Sequence, residues 1–170
     1  MTVPLLRSAE PADFAGVARL TVAAYEADGQ LKGENGYGDV LADVAGRAAH
    51  GEILVATDPA TGRLLGSVIF VLPGSRYAEL CGPGEAEFRM LAVDPAAQGQ
   101  GAGAALVEAC VARATELGCT ALLICVRDGL AASAHRLYRR RGFVRVPERD
   151  WTPIPGVDLL ALRLSLTAPR

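Results

Sequence analysis

The run at residues 88–106, FRMLAVDPAAQGQGAGAAL, constrains this chain more than any other stretch. It reads as a β-rich segment (88–93), a turn opened by Asp94-Pro95, a glycine-dense hexapeptide and then a helix. Within the hexapeptide Gln98, Gly101 and Gly103 have the spacing Q-x-x-G-x-G. Glycine lacks a Cβ, so a ligand can approach the backbone closely, and it tolerates positive φ. Successive N–H groups in such a loop can converge into an anion-binding nest, with the positive end of the helix dipole behind them. The pattern fits a phosphate or pyrophosphate cradle at a strand–helix junction. On these residues alone, a tight turn whose glycines serve packing stays open.

Two other phosphate loops compete. A Walker-type loop ends in Gly-Lys-Ser/Thr, and this stretch holds no lysine or hydroxyl residue. A Rossmann fingerprint is closer, because Gly99, Gly101 and Ala104 fit G-x-G-x-x-A. In that fold, however, the strand runs almost directly into the first glycine, whereas residues 94–98 intervene here. The 67 residues after Gly103 are also too few for a complete six-strand dinucleotide domain.

A chain of 170 residues is long enough for one domain with a substantial core. Although 51% of it is apolar, no run approaches the length of a membrane span, and the N-terminus lacks the pattern of a secretory signal. A net charge of −2 gives no global pull toward nucleic acid or an anionic membrane. Cys81, Cys110, Cys119 and Cys125 form no C-x-x-C pair and only two histidines are present, so no metal site is expected. The expected setting is reducing and cytoplasmic.

In chain order, residues 3–6 form a short strand. A helix begins at Glu10-Pro11, with Phe14, Val17, Leu20, Thr21, Ala24 and Tyr25 at helical spacing. Residues 28–38 form a polar loop, and residues 39–49 a second helix. Five acidic residues lie between 26 and 43 (Glu26, Asp28, Glu34, Asp39 and Asp43) beside a single lysine. They read as a solvated face, or as a field drawing a cationic amine toward a nearby site. Residues 52–57 and 64–72 form a hairpin, and 73–84 an irregular rim. The central strand, the glycine loop and a helix at 101–117 follow, then an apolar strand at 120–126 suited to burial on both faces. A helix at 131–140 and strands at 143–146 and 157–166, parted by a proline-rich turn, complete the order β-α-α-β-β-β-α-β-α-β-β. This is a mixed α/β domain.

Together, FRMLAV, the V-D-P turn, Q-G-Q-G-A-G and the helix AALVEACVARATELG resemble the acetyl-CoA-binding motif of the GNAT N-acetyltransferase superfamily. The later segment AHRLYRRRGF is similar to that family's A-x-x-L-Y-x-x-x-G-F, and the two matches keep the family's order and distance. The resemblance implies a mostly antiparallel, twisted sheet of about six to seven strands with four helices and splayed central strands. It implies acetyl-CoA as cosubstrate, held at its pyrophosphate by the amides of Gln98, Gly99, Gln100, Gly101, Ala102, Gly103 and Ala104. The backbone of Leu91, Ala92 and Val93 would pair with the pantetheine arm as an added strand would, and an N–H near Leu91 would face the thioester oxygen.

Tyr138 matches the family's usual general acid; by periodicity alone it equally suits a ring packed under the sheet. Glu87 matches a carboxylate that some members use as base. Four residues before Leu91 on one strand, it is expected on the same face; the bland alternative pairs it with Arg89 or solvent. Glu85 is a weaker candidate because it is expected to precede the strand. Ala131 stands where many members carry Asn. The arginines at 136, 139, 140, 141 and 145 and His135 are read as a solvated helix face. The implied activity is acetyl transfer to a primary amine, more readily a small molecule than a protein, by direct attack in a ternary complex, with a homodimer possible. A non-catalytic acyl-CoA-sensing module and a nucleotide-binding oxidoreductase are the alternatives.

Overall fold

A computed structural model describes residues 2–32 and 36–166. Its eight strands are β1 (Leu5–Ser8), β2 (Glu52–Thr57), β3 (Leu64–Val71), β4 (Glu85–Val93), β5 (Ala121–Arg127), β6 (Val144–Arg145), β7 (Trp151–Ile154) and β8 (Val157–Ser165). The five helices are α1 (Phe14–Ala27), α2 (Tyr37–Ala42), α3 (Val44–Ala48), α4 (Ala102–Glu116) and α5 (Ala132–Arg141). They build one sheet in the order β1-β2-β3-β4-β5-β8-β6, with β7 also paired to β8. Only the β4–β5 pair is parallel. None of the helices is long and apolar enough to cross a membrane.

The sheet is covered on both faces, and strand alternation decides which side chain goes where. Leu54, Ala56, Val68, Phe70, Ala86 and Phe88 join α4 and Tyr138 of α5 in one core. Ile53, Val55, Ile69 and Val71 join Val17 of α1, Leu41 of α2 and Val44 of α3 in the other. Burial on both faces explains why these strands read as continuous apolar runs.

Several expectations are corrected. The helix expected at 39–49 is two short ones, broken at Asp43, whose side chain accepts the Gly46 amide at 3.0 Å and caps the second. The proline-rich turn contains β7, so strands and helices each exceed the expected count by at least one. Glu85 opens β4 rather than preceding it.

Two features of β4 create a cleft. It pairs with β5 only at Glu85, Ala86 and Glu87, so from residue 88 onward the two strands splay, while β5 keeps full-length pairing with β8. A β-bulge also falls in the β3–β4 ladder, where Ile69 faces Arg89 and Ser67 faces Ala92. The extra residue is accommodated at Met90, whose φ is +55°. Met90 therefore joins the α1-side core, whereas Leu91 and Val93 pack on the α4 side with Phe88.

Candidate active site

A cavity of about 600 Å³ opens where β4 and β5 part. Its inner end is walled by Met90 and Leu91 on one side and by Ile124, Cys125 and Val126 on the other, with Ala131, Ala134 and Tyr138 at the start and middle of α5. Its outer end is walled by Tyr25, Tyr37, Asp39, Arg89, Glu79 and Trp151, drawn from five separate segments. Among the described residues, the two non-glycine residues with left-handed backbone, Met90 and Ala131 (φ +56°), both lie on this cavity. Asn or Gly adopts that conformation more readily than Ala, a physical reason for the Asn that the family resemblance leads one to expect at position 131.

The glycine loop runs from β4 into α4. Asp94 opens it by accepting the Ala96 amide at 2.9 Å, and the Ala97 N–H returns to the Asp94 carbonyl. Gly99 and Gly101 have φ of +79° and +83°, and a Cβ built on either would meet nothing within 4 Å, so their φ alone excludes most side chains there. Among the described residues, the seven consecutive amides from Gln98 to Ala104 have no acceptor; the first internal bond of α4 comes from Ala105 to Gly101. Residues 98–101 are exposed. Unpaired N–H groups in sequence at a helix start are the donors that suit an anion, and the space beside Gly99 and Gly101 is open. Leu91 borders the cavity; Ala92 is buried, and Val93 packs against the α4-side core.

Tyr138 packs under the sheet and also reaches the cavity. Its ring sits edge-on to Phe88 at 5.7 Å and beside Phe143 at 5.8 Å, only 3% of the residue is exposed, and it still borders the cavity. Burial pushes the phenol's pKa far above its usual value, with Cys125 and Cys110 adding to the effect, so it stays protonated at any physiological pH. Burial also holds the Cys125 thiol up, at about 11.

Glu87 requires the clearest correction. It is fully buried and absent from the cavity wall, and the bulge at Met90 places it on the opposite face from Leu91. Its Oε1 accepts the amides of Glu79, Leu80 and Cys81 at 3.0, 2.8 and 3.1 Å, while Oε2 is sealed without a partner. Burial raises its pKa against the opposing pull of those three amides. It forms no direct pair with Arg89, which stands beside Glu79 instead. Glu85 is likewise engaged, by Arg149 at 2.8 Å and Arg163 at 3.5 Å.

Sequence reasoning missed Glu79 and Arg89 as cavity residues. Glu79 lies in an irregular stretch without a motif, and Arg89 was weighed only as a partner for Glu87. Of the five acidic residues between 26 and 43, Asp39 and Asp43 reach the cavity, Asp28 accepts from Gln30, and Glu34 lies outside the described residues. On α5, His135 Nε2 lies 3.0 Å from the Arg127 carbonyl oxygen, and Arg141 pairs with Glu108.

The model of the Acetyltransferase (GNAT) family matches residues 18–143. No curated protein matches. Among solved structures, a Corynebacterium glutamicum chain described as histone acetyltransferase HPA2 and related acetyltransferase is similar at 23% identity and a TM-score of 0.74, covering 99% of both chains. The ribosomal-protein-S18-alanine N-acetyltransferase from Escherichia coli is similar at 19% identity and 0.70, covering 98% of this chain and 96% of that one. A GCN5-related N-acetyltransferase from Rhodopseudomonas palustris is similar at 24% and 0.72, covering 98% of each. At these identities the likeness is one of fold.

Proposed function

Since the chain belongs to the GNAT acetyltransferase family, we propose that it transfers the acetyl group of acetyl-CoA to the primary amine of a small-molecule acceptor, by direct attack in a ternary complex. The observation that carries this is the run of seven unpartnered amides at 98–104, together with a cleft between β4 and β5 that Tyr138 borders. Bound acetyl-CoA supplies the acyl group as a thioester.

The amides of Gln98, Gly99, Gln100, Gly101, Ala102, Gly103 and Ala104 hold the pyrophosphate, helped by the positive end of α4. The free edge of β4 at Leu91, Ala92 and Val93 pairs with the pantetheine arm, and the open space between β4 and β5 admits it. An amide near Leu91 is the donor for the thioester oxygen.

Tyr138 donates a hydrogen bond to the departing sulfur. A phenol whose pKa lies far above that of a thiol stabilises developing negative charge without giving up its proton early. Glu79, on the cavity wall, takes the proton from the incoming amine. Glu87 acts from behind as a positioning residue: its Oε1 ties down the 79–81 backbone and so fixes where Glu79 stands.

Two-substrate kinetics test the ternary complex. Intersecting initial-rate lines with acetyl-CoA and an amine are expected; parallel lines or an isolable acetyl-enzyme would remove it. Saturable acetyl-CoA binding with no CoA release across an amine panel would point instead to a sensing module.

A further inference from the structure

Arg89 follows Glu87 by two residues on β4 and reaches the cavity just before the Met90 bulge. Its side chain is only 11% exposed, and its Nη1 is occupied: it donates to the Tyr77 carbonyl at 3.0 Å and stands 3.7 Å from Glu79 Oε1. Nε and Nη2 have no hydrogen-bond partner among the described residues. Nor are they sealed from solvent, as Nε and Nη1 of the fully buried Arg47 are. These two spare donors lie on the same edge of the guanidinium plane and project in parallel, the geometry that grips a carboxylate with two bonds.

The neighbour of that fork matters as much as the fork. Glu79 and Arg89 are too far apart for a good hydrogen bond, yet close enough to present opposite charges across a few ångströms. Glu79 stands at Nη1, across the guanidinium from the open Nε–Nη2 edge, so an acceptor gripped there by its carboxylate finds a negative charge on the same wall for its ammonium.

Resting on the acetyl-transfer reading, we infer that the acceptor is an amino acid whose carboxylate is held by Nε and Nη2 of Arg89, with its amine on the Glu79 side of the cavity. The reaction balances as an ordinary acyl transfer: the ammonium gives one proton through Glu79 to solvent, the free amine attacks the thioester carbonyl, the C–N bond forms as the C–S bond breaks, and the second nitrogen proton goes to the sulfur, which leaves as the thiol of CoA. Tyr25, Tyr37 and Trp151 on the same wall give the amino acid's side chain an aromatic enclosure.

The experiment follows CoA release from acetyl-CoA for the protein amino acids, each beside its carboxamide or decarboxylated amine. At least one amino acid is expected to exceed its carboxylate-free counterpart about 30-fold or more in kcat/KM. In Arg89→Gln that ratio should fall near one, while calorimetric titration gives an unchanged acetyl-CoA Kd and thermal unfolding a folded protein. Arg89→Lys, which keeps the charge but loses the fork, should fall between. Equal or better turnover of the carboxylate-free amines, a preference that survives Arg89→Gln, or turnover of no amino acid by protein that binds acetyl-CoA would overturn the inference. Loss at the earlier stage is distinguishable: wild-type protein that does not bind acetyl-CoA sinks the acetyl-transfer reading, and this inference with it.

Discussion

The loop at 98–104 and the wall around Arg89 offer a ligand different parts of the polypeptide. The loop offers main chain: seven amides, made available by two glycines at positive φ and by the start of α4. The wall offers side chains, among them Tyr25, Tyr37, Asp39, Glu79, Arg89 and Trp151, brought together only by tertiary folding. Main-chain recognition needs a contiguous run of small residues and therefore leaves a local pattern in sequence. Side-chain recognition can be assembled from any segment that reaches the place, and it leaves none. The difference also separates tasks, because a shared coenzyme is suited to a fixed backbone and a particular acceptor to replaceable side chains.

The largest expected effect attacks the main-chain end. Gly101→Val puts a β-branched residue at φ +83° and should weaken acetyl-CoA binding at least 100-fold in calorimetric titration. Its open surroundings should leave the domain folded. If affinity survives, the loop is only a turn, and the contrast between the two ends disappears.

Tyr138→Phe stands between the ends. Turnover should fall about 100-fold while acetyl-CoA affinity changes less than about 3-fold, as measured by steady-state kinetics beside titration. Unchanged turnover would reduce Tyr138 to its packing role against Phe88 and Phe143.

Glu87→Ala probes the scaffold of the acceptor wall. Removing the carboxylate leaves the amides of Glu79, Leu80 and Cys81 without their acceptor, at a cost of about 2–4 kcal/mol. Chemical denaturation should register that loss, with acetyl-CoA affinity retained. A stability change under about 0.5 kcal/mol would show that Glu87 does not hold this backbone.

Asp39→Asn removes one cavity charge and should raise the acceptor KM about 2- to 5-fold with no change in acetyl-CoA KM. A shift in the coenzyme's KM instead would mean that the two ends are not separable. The smallest effect is expected from Ala131→Gly. Relief of the left-handed backbone should outweigh the added chain entropy by about 0.5 kcal/mol, again read by denaturation.

The fold and the loop were legible because their signals are local. Continuous apolar runs bounded by turn residues placed most strands, and the glycine spacing marked the strand–loop–helix unit. The splay of β4 from β5 came only through family resemblance, since periodicity does not reveal where a ladder stops. The bulge at Met90 was not legible at all. One inserted residue reversed the side-chain parity after Arg89, so counting from Leu91 back to Glu87 gave the wrong face. Glu79 was hidden for a related reason, its position being set by three amides donating to a carboxylate eight residues away. The short strand β7 escaped because Pro147, Pro153 and Pro155 dominate its surroundings.

Amide hydrogen exchange with and without acetyl-CoA tests the account at its root. In the free protein the amides of 98–104 have no acceptor and should exchange fast. Saturating acetyl-CoA should slow that segment strongly, more than any other loop. If 98–104 exchanges equally fast in both states while acetyl-CoA is demonstrably bound, the coenzyme is held elsewhere.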